Sequence, residues 1–94
     1  MSEMLPRELL EATHRFPGKF VFKAIGRMED EFAASVVTVV REALSHDFDS
    51  PHELRHTSGG RHVSVTIEPW VESSEQVLVV YERIRLLPGL VMML

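Results

Sequence analysis

Ser58-Gly59-Gly60-Arg61-His62-Val63-Ser64-Val65-Thr66-Ile67 is the stretch on which the fold turns. Its first three residues are a turn signal. After them, polar His62, Ser64 and Thr66 alternate with apolar Val63, Val65 and Ile67. Successive side chains of a strand point to opposite faces, so this segment reads as a half-buried strand near the middle of a sheet.

Reading outward from it, residues 53–57 form a short partner strand, and the Gly-Gly turn closes the two into a hairpin. Downstream, Pro69 ends the pairing because proline has no N–H to donate to a ladder. Ser73 and Gln76 fit a capping box with Ser73 as N-cap. The helix that follows carries Val77, Val80, Tyr81 and Ile84 on one face, and Pro88-Gly89 stops it. Residues 90–94 make a final strand.

Upstream, residues 19–25 read as the first strand. Phe20, Phe22 and Ala24 take the core face, Val21, Lys23 and Ile25 the other, and Gly26 ends the strand. Residues 29–45 predict a helix, with Phe32, Val36, Val39, Val40 and Ala43 at helical spacing. The β-branched run from Val36 to Val40 favours a strand locally. The pattern is nevertheless too long for a typical strand, and Glu29, Asp30 and Glu31 suit a helix N-terminus, where negative charge is favoured. Residues 46–51 are a loop. At the start, residues 6–14 predict a short helix opened by Pro6, with Leu5, Leu9 and Leu10 as its apolar stripe, before Phe16-Pro17-Gly18 breaks the pattern.

The order of elements is βαββαβ with a helix in front. The compact solution is an α+β, ferredoxin-like domain: a four-stranded antiparallel sheet, both long helices on one face, and strands one and three central. Residues 1–94 then form a single domain, a helical extension over 1–15 and a core over 16–94. In this arrangement the last strand lies beside the first. With Leu90, Met92 and Leu94 facing the core, Val91 and Met93 face outward next to Val21 and Ile25. Exposed apolar area of this kind marks a contact surface: either the N-terminal helix, through Leu5, Leu9 and Leu10, folds over it or another chain covers it, and self-association or a protein partner is the expectation.

Composition narrows the function classes. The chain has 94 residues and no cysteine, which removes disulfides, thiolate metal sites and a cysteine nucleophile. A net charge of −4 opposes broad affinity for nucleic acid, which needs an excess of Lys and Arg. The outward faces of strands one and three also lack the aromatic residues on which RNA bases stack. No apolar run approaches the ~20 residues that span a bilayer. The residues after Met1 show no basic region followed by an apolar run, so the expectation is a cytoplasmic protein without membrane contact.

Several motifs resemble the YbeD-like family of small bacterial proteins of unknown function. Phe16-Pro17-Gly18-Lys19-Phe20 with Lys23-Ala24-Ile25-Gly26 is similar to that family's start, and residues 55–66 to its hairpin. Glu75-Gln76, Tyr81 and Pro88-Gly89-Leu90-Val91-Met92 resemble its closing helix and strand. The resemblance covers residues 16–94. It implies a ferredoxin-like domain similar to ACT regulatory domains, which bind small effectors, with no catalytic residues to carry over. A connection with lipoate metabolism has been suggested for the family from gene neighbourhood. This chain departs from the family at His62, where an aromatic residue, most often Tyr, is usual.

Two places are candidate ligand sites. At the hairpin tip, Arg55, Arg61 and His62 gather, with His56, around Ser58, Gly59 and Gly60, where exposed backbone N–H groups and nearby cations suit an anion. At the end of the first strand, Gly26 and Arg27 precede a helix, and ACT-like domains often bind an effector near such a junction. His52, His56 and His62 do not have the spacing of a metal site, and neither metal nor cofactor is expected. His62 with Ser64, Thr66 and Glu68 lacks a visible orienting partner, so no catalytic set is assigned.

Overall fold

The structure, a computed structural model, describes residues 6–94. The expected part of Leu5 in the first helical stripe lies outside them. The elements are α1 (Pro6–Thr13), β1 (Gly18–Lys19), β2 (Phe22–Arg27), a 3-10 turn (Met28–Asp30), α2 (Phe32–Ala43), β3 (His52–His56), β4 (His62–Ile67), β5 (Trp70–Val71), α3 (Ser74–Arg85) and β6 (Leu90–Met93). The large sheet is antiparallel with strand order β3-β4-β2-β6, so the strand that opens the sequence reading is central.

Alternation along β4 is as expected: Val63, Val65 and Ile67 are buried, His62, Ser64 and Thr66 half-buried. Phe22 and Ala24 of β2 join the buried set. Phe32, Val36 and Val40 of α2 and Val77, Val80 and Ile84 of α3 complete one apolar cluster with them. Burying each such side chain stabilises the fold by about 1.5–3 kcal/mol relative to exposure. That packing outweighs the weak preference of the valine run for a strand, which is why α2 forms.

Gly26 does not end the first strand, as the sequence led us to expect. It is paired with Val63, and the strand continues to Arg27. A β-carbon on Gly26 would sit 2.3 Å from two ring atoms of Phe32, so the glycine exists to admit that ring. The same contact delays the helix. Met28–Asp30 make a 3-10 turn, and Glu31 takes a left-handed backbone (φ 50°) that swings Phe32 back under β2. Glu29, Asp30 and Glu31 therefore precede the helix instead of forming its first turn. At the other end α2 stops at Ala43, short of residue 45, through a left-handed Ser45 (φ 55°).

The expected first strand is split in two. Phe20 donates its N–H to the Pro69 carbonyl at 3.0 Å, but Pro69 has nothing to donate in return. The ladder lapses there and resumes as a second small sheet, in which Gly18 and Lys19 pair with Val71 and Trp70. Pro69 thus interrupts pairing without ending it. Ser73 caps α3 as expected, its Oγ accepting from Gln76 N at 3.4 Å. The Gln76 side chain accepts from Glu72 N, one residue upstream of the usual capping-box donor.

Strand β6 carries a bulge that corrects the outward-facing set. Ala24 pairs with Met93 and Ile25 with Met92, yet Gly26 pairs with Leu90, leaving Val91 as the extra residue. One extra residue reverses the alternation beyond it. Leu90 and Met93 pack on the core, while Val91, Met92 and Leu94 are exposed. Met93 is therefore a core-side residue, whereas Met92 and Leu94, expected on the core side, face outward. Helix α1 packs on α3 rather than over the open sheet face, with Leu10 against the core, Arg7 near Glu75 (3.9 Å), and Glu11 bonded to Ser74.

Candidate functional site

With α2 and α3 sharing the cluster on one side of the large sheet, its other face is left open by the described residues. Register places the outward side chains in rows, since directly opposed residues share a face. Arg27 lies opposite His62. Met92, Ile25, Ser64 and Arg55 form the next row, and Lys23, Thr66 and Glu53 the third. One side of the face is apolar through Ile25, Met92 and Leu94. The other side is polar. Val21, half exposed between β1 and β2, borders the polar side near Thr66 and Glu68.

The hairpin turn closes through two main-chain bonds, Thr57 N to His62 O at 3.1 Å and Gly60 N to Thr57 O at 2.9 Å. Gly60 has φ +69°, a conformation that side chains resist. Ser58, Gly59, Gly60 and Arg61 are exposed, and nothing lies within 4 Å of where a β-carbon on Gly59 would sit.

The two candidate sites meet at their bases. Arg27 and His62 are directly opposed, and Met28 donates its N–H to the Arg61 carbonyl at 3.1 Å. Arg27 also holds Glu29 at 3.8 Å. The tip itself does not gather every residue expected there. Arg55 is opposite Ser64, one row down the sheet, on the outer face. The space over Gly26 on the core side is filled by Phe32, so backbone approach of a ligand on that side is blocked. His52 and His56 lie opposite the buried Ile67 and Val63, hence on the helix side, while His62 is on the outer face. His52 Nδ1 lies 2.8 Å from the Ser50 carbonyl. Among the described residues no His, Cys, Asp or Glu cluster has the form of a metal site.

Sequence reasoning missed a different gathering. Lys23, Glu53, Arg55, Ser64 and Thr66 line a shallow cavity of about 400 Å³ on the outer face, beside Leu54. Lys23, Ser64 and Thr66 read as outward positions of their strands, while the short partner strand, with Glu53 and Arg55, has no pattern that assigns its faces. What joins them is the cross-strand register, which no single segment contains.

A small α+β domain with an antiparallel sheet open on one face is the class these features define. The chain belongs to the family described as "Protein of unknown function (DUF493)", whose model matches residues 11–94. This is the YbeD-like family that the hairpin and closing strand resemble. Relatives include a UPF0250 protein of Paraburkholderia phytofirmans, 35% identical over 71 residues (76% of this chain, 80% of the relative). UPF0250 protein PM1928 of Pasteurella multocida is 31% identical over 90 residues, covering 96% of this chain and 100% of the relative.

Proposed function

We propose that the chain is a regulatory or protein-interaction domain of the ferredoxin-like, ACT-like type, acting in the bacterial cytoplasm without catalysing a reaction of its own. The observation that carries this is the strand order β3-β4-β2-β6, with both long helices in one core cluster and the opposite sheet face open. That order is the one a βαββαβ chain takes in a ferredoxin-like sheet. The apolar side of the open face, Ile25, Val91 and Met92 with Leu94, is the surface for self-association or a protein partner. No described helix is long and apolar enough to cross a membrane. Affinity capture on the tagged protein, repeated with a variant charged at Val91 and Met92, tests the reading. A partner, or a second copy, retained equally by both would remove this face from the proposal.

A second reading, a sensor of a small molecule or anion, is favoured by the exposed glycine turn and, separately, by the charged residues Lys23, Glu53 and Arg55 that line a cavity further along the outer face. A thermal-shift panel of amino acids, lipoate compounds and phosphates tests it, because any ligand held by the native state raises Tm by mass action.

A further inference from the structure

The cavity on the outer face is ringed by charges of both signs, and its cations, like Arg15, Lys19, Arg61 and Arg83 elsewhere among the described residues, are not held by a carboxylate of this chain. Arg7, Arg27, Arg41 and Arg85 each lie within 4 Å of a carboxylate of this chain. Lys23, Arg55 and Glu53 do not: among the described residues, none of the three makes an ion pair or a side-chain hydrogen bond. Yet the three surround one cavity, whose floor is the half-buried hydroxyls of Ser64 and Thr66. What sets these three apart is that they stand around one floor, with charges of both signs and hydroxyl donors and acceptors between them.

The lining specifies what fits. The Arg55 guanidinium is a fork of donors that matches a carboxylate in two parallel bonds, and Lys23 adds a point charge. Glu53 is an acceptor only, so whatever faces it must donate. Ser64 and Thr66 can do either. Glu53 and Arg55 are two residues apart on one strand, about 7 Å along it, a span suited to a compact ligand.

We infer that this cavity, on the outer face between β2, β4 and β3, binds a small carboxylate that carries a hydroxyl or ammonium donor close to its acid group. The carboxylate lies against Arg55 and Lys23, and the donor faces Glu53. This rests on the sensor reading and moves its site from the hairpin tip to the sheet. A phosphate would satisfy the two cations but would bring its negative charge against Glu53, so the lining disfavours it.

Amide NMR titrations with glycolate, glycine, acetate and inorganic phosphate test the assignment. Glycolate or glycine should give saturable shifts at Lys23, Arg55, Ser64 and Thr66, and acetate, lacking the donor, should bind more weakly. Arg55→Ala and Lys23→Ala should each weaken binding by roughly tenfold, the loss expected for a charged hydrogen bond. Glu53→Gln should narrow the preference over acetate, and Arg61→Ala at the tip should leave binding unchanged. All four positions are exposed, so the fold tolerates these substitutions. Saturable shifts confined to Gly59, Gly60 and Arg61 and abolished by Arg61→Ala would overturn this placement while keeping the sensor reading. Equal affinity for acetate and glycolate would overturn the ligand class. The absence of saturable shifts with any probe at millimolar concentration would overturn the cavity as a site, while the thermal-shift panel still judges the broader sensor reading.

Discussion

Ser74, a buried residue in the first turn of α3, donates a 2.6 Å hydrogen bond from its hydroxyl to Oε2 of Glu11, 63 residues away in the chain. Glu11 thereby sets a negative charge at the N-terminus of α3, where the aligned peptide dipoles favour it. Helix α1 has no buried residue, so this bond, the Leu10 contact and the Arg7–Glu75 approach are its main attachments. Ser74→Ala should cost about 1 kcal/mol at this partly exposed bond. Amide hydrogen exchange in α1 should accelerate about fivefold for such a loss, while β4 exchanges as before. Unchanged exchange in α1 would mean that the Leu10 contact and the Arg7–Glu75 approach hold it without this bond.

Gly26→Ala should destabilise the protein by about 1–3 kcal/mol, because the new methyl collides with the Phe32 ring. Shrinking the ring by Phe32→Leu should cost less in the Gly26→Ala background than in wild type, since the two residues compete for one space. Denaturant titrations of the four proteins measure this. Strictly additive losses would show that strand and helix part at no cost.

Tyr81 packs edge-on against Phe22 (5.0 Å between ring centroids) and Phe20 (6.3 Å). Burial raises its phenol above the ordinary 10.0. In the unfolded chain the phenol ionises first, so the unfolded state loses its proton before the native state does. The contribution of Tyr81 is therefore fully present below pH 10 and is lost as the pH rises from there through the native value. Tyr81→Phe should flatten this alkaline fall in Tm. An identical fall in both proteins would assign it to other groups.

Val91→Lys with Met92→Glu should abolish self-association through the apolar side of the open face. Light scattering at high concentration should show a larger mass for wild type than for the variant, with similar Tm at low concentration. Met93→Glu is the informative contrast. It places a charge against the core beside Ala24, and should lower stability instead of changing mass. A monomeric wild type at high concentration ends the self-association proposal.

The sequence displayed the core well because periodicity is a local property. Val63, Val65 and Ile67 announce a strand face, and Val77, Val80 and Ile84 a helix face, and both are buried as read. The errors fall where one segment answers to another. Gly26 looked like an end because its reason for being small is Phe32, six residues on and across a layer. Met93 reads as outward because the run Leu90-Val91-Met92-Met93-Leu94 is apolar at every position, so alternation does not choose its faces. The outer cavity was invisible for a related cause. Lys23, Arg55 and Thr66 come from three strands, and only hydrogen-bonded register makes them neighbours.

The bulge at Val91 also makes β6 a strand with an ambiguous phase. A shift by one residue would trade Met93 for Met92 or Leu94 in the core, one large flexible side chain for another of similar size. Hydrophobicity scarcely discriminates between those settings. The setting is held instead by main-chain bonds, those of the β2–β6 pairing and, at its ends, Arg27 N to Gly89 O and Leu94 N to Lys23 O, each 2.9 Å. Most strands are locked by the pattern of their own side chains, but β6 is locked by its backbone, from the clasp at Gly89 to the one at Leu94.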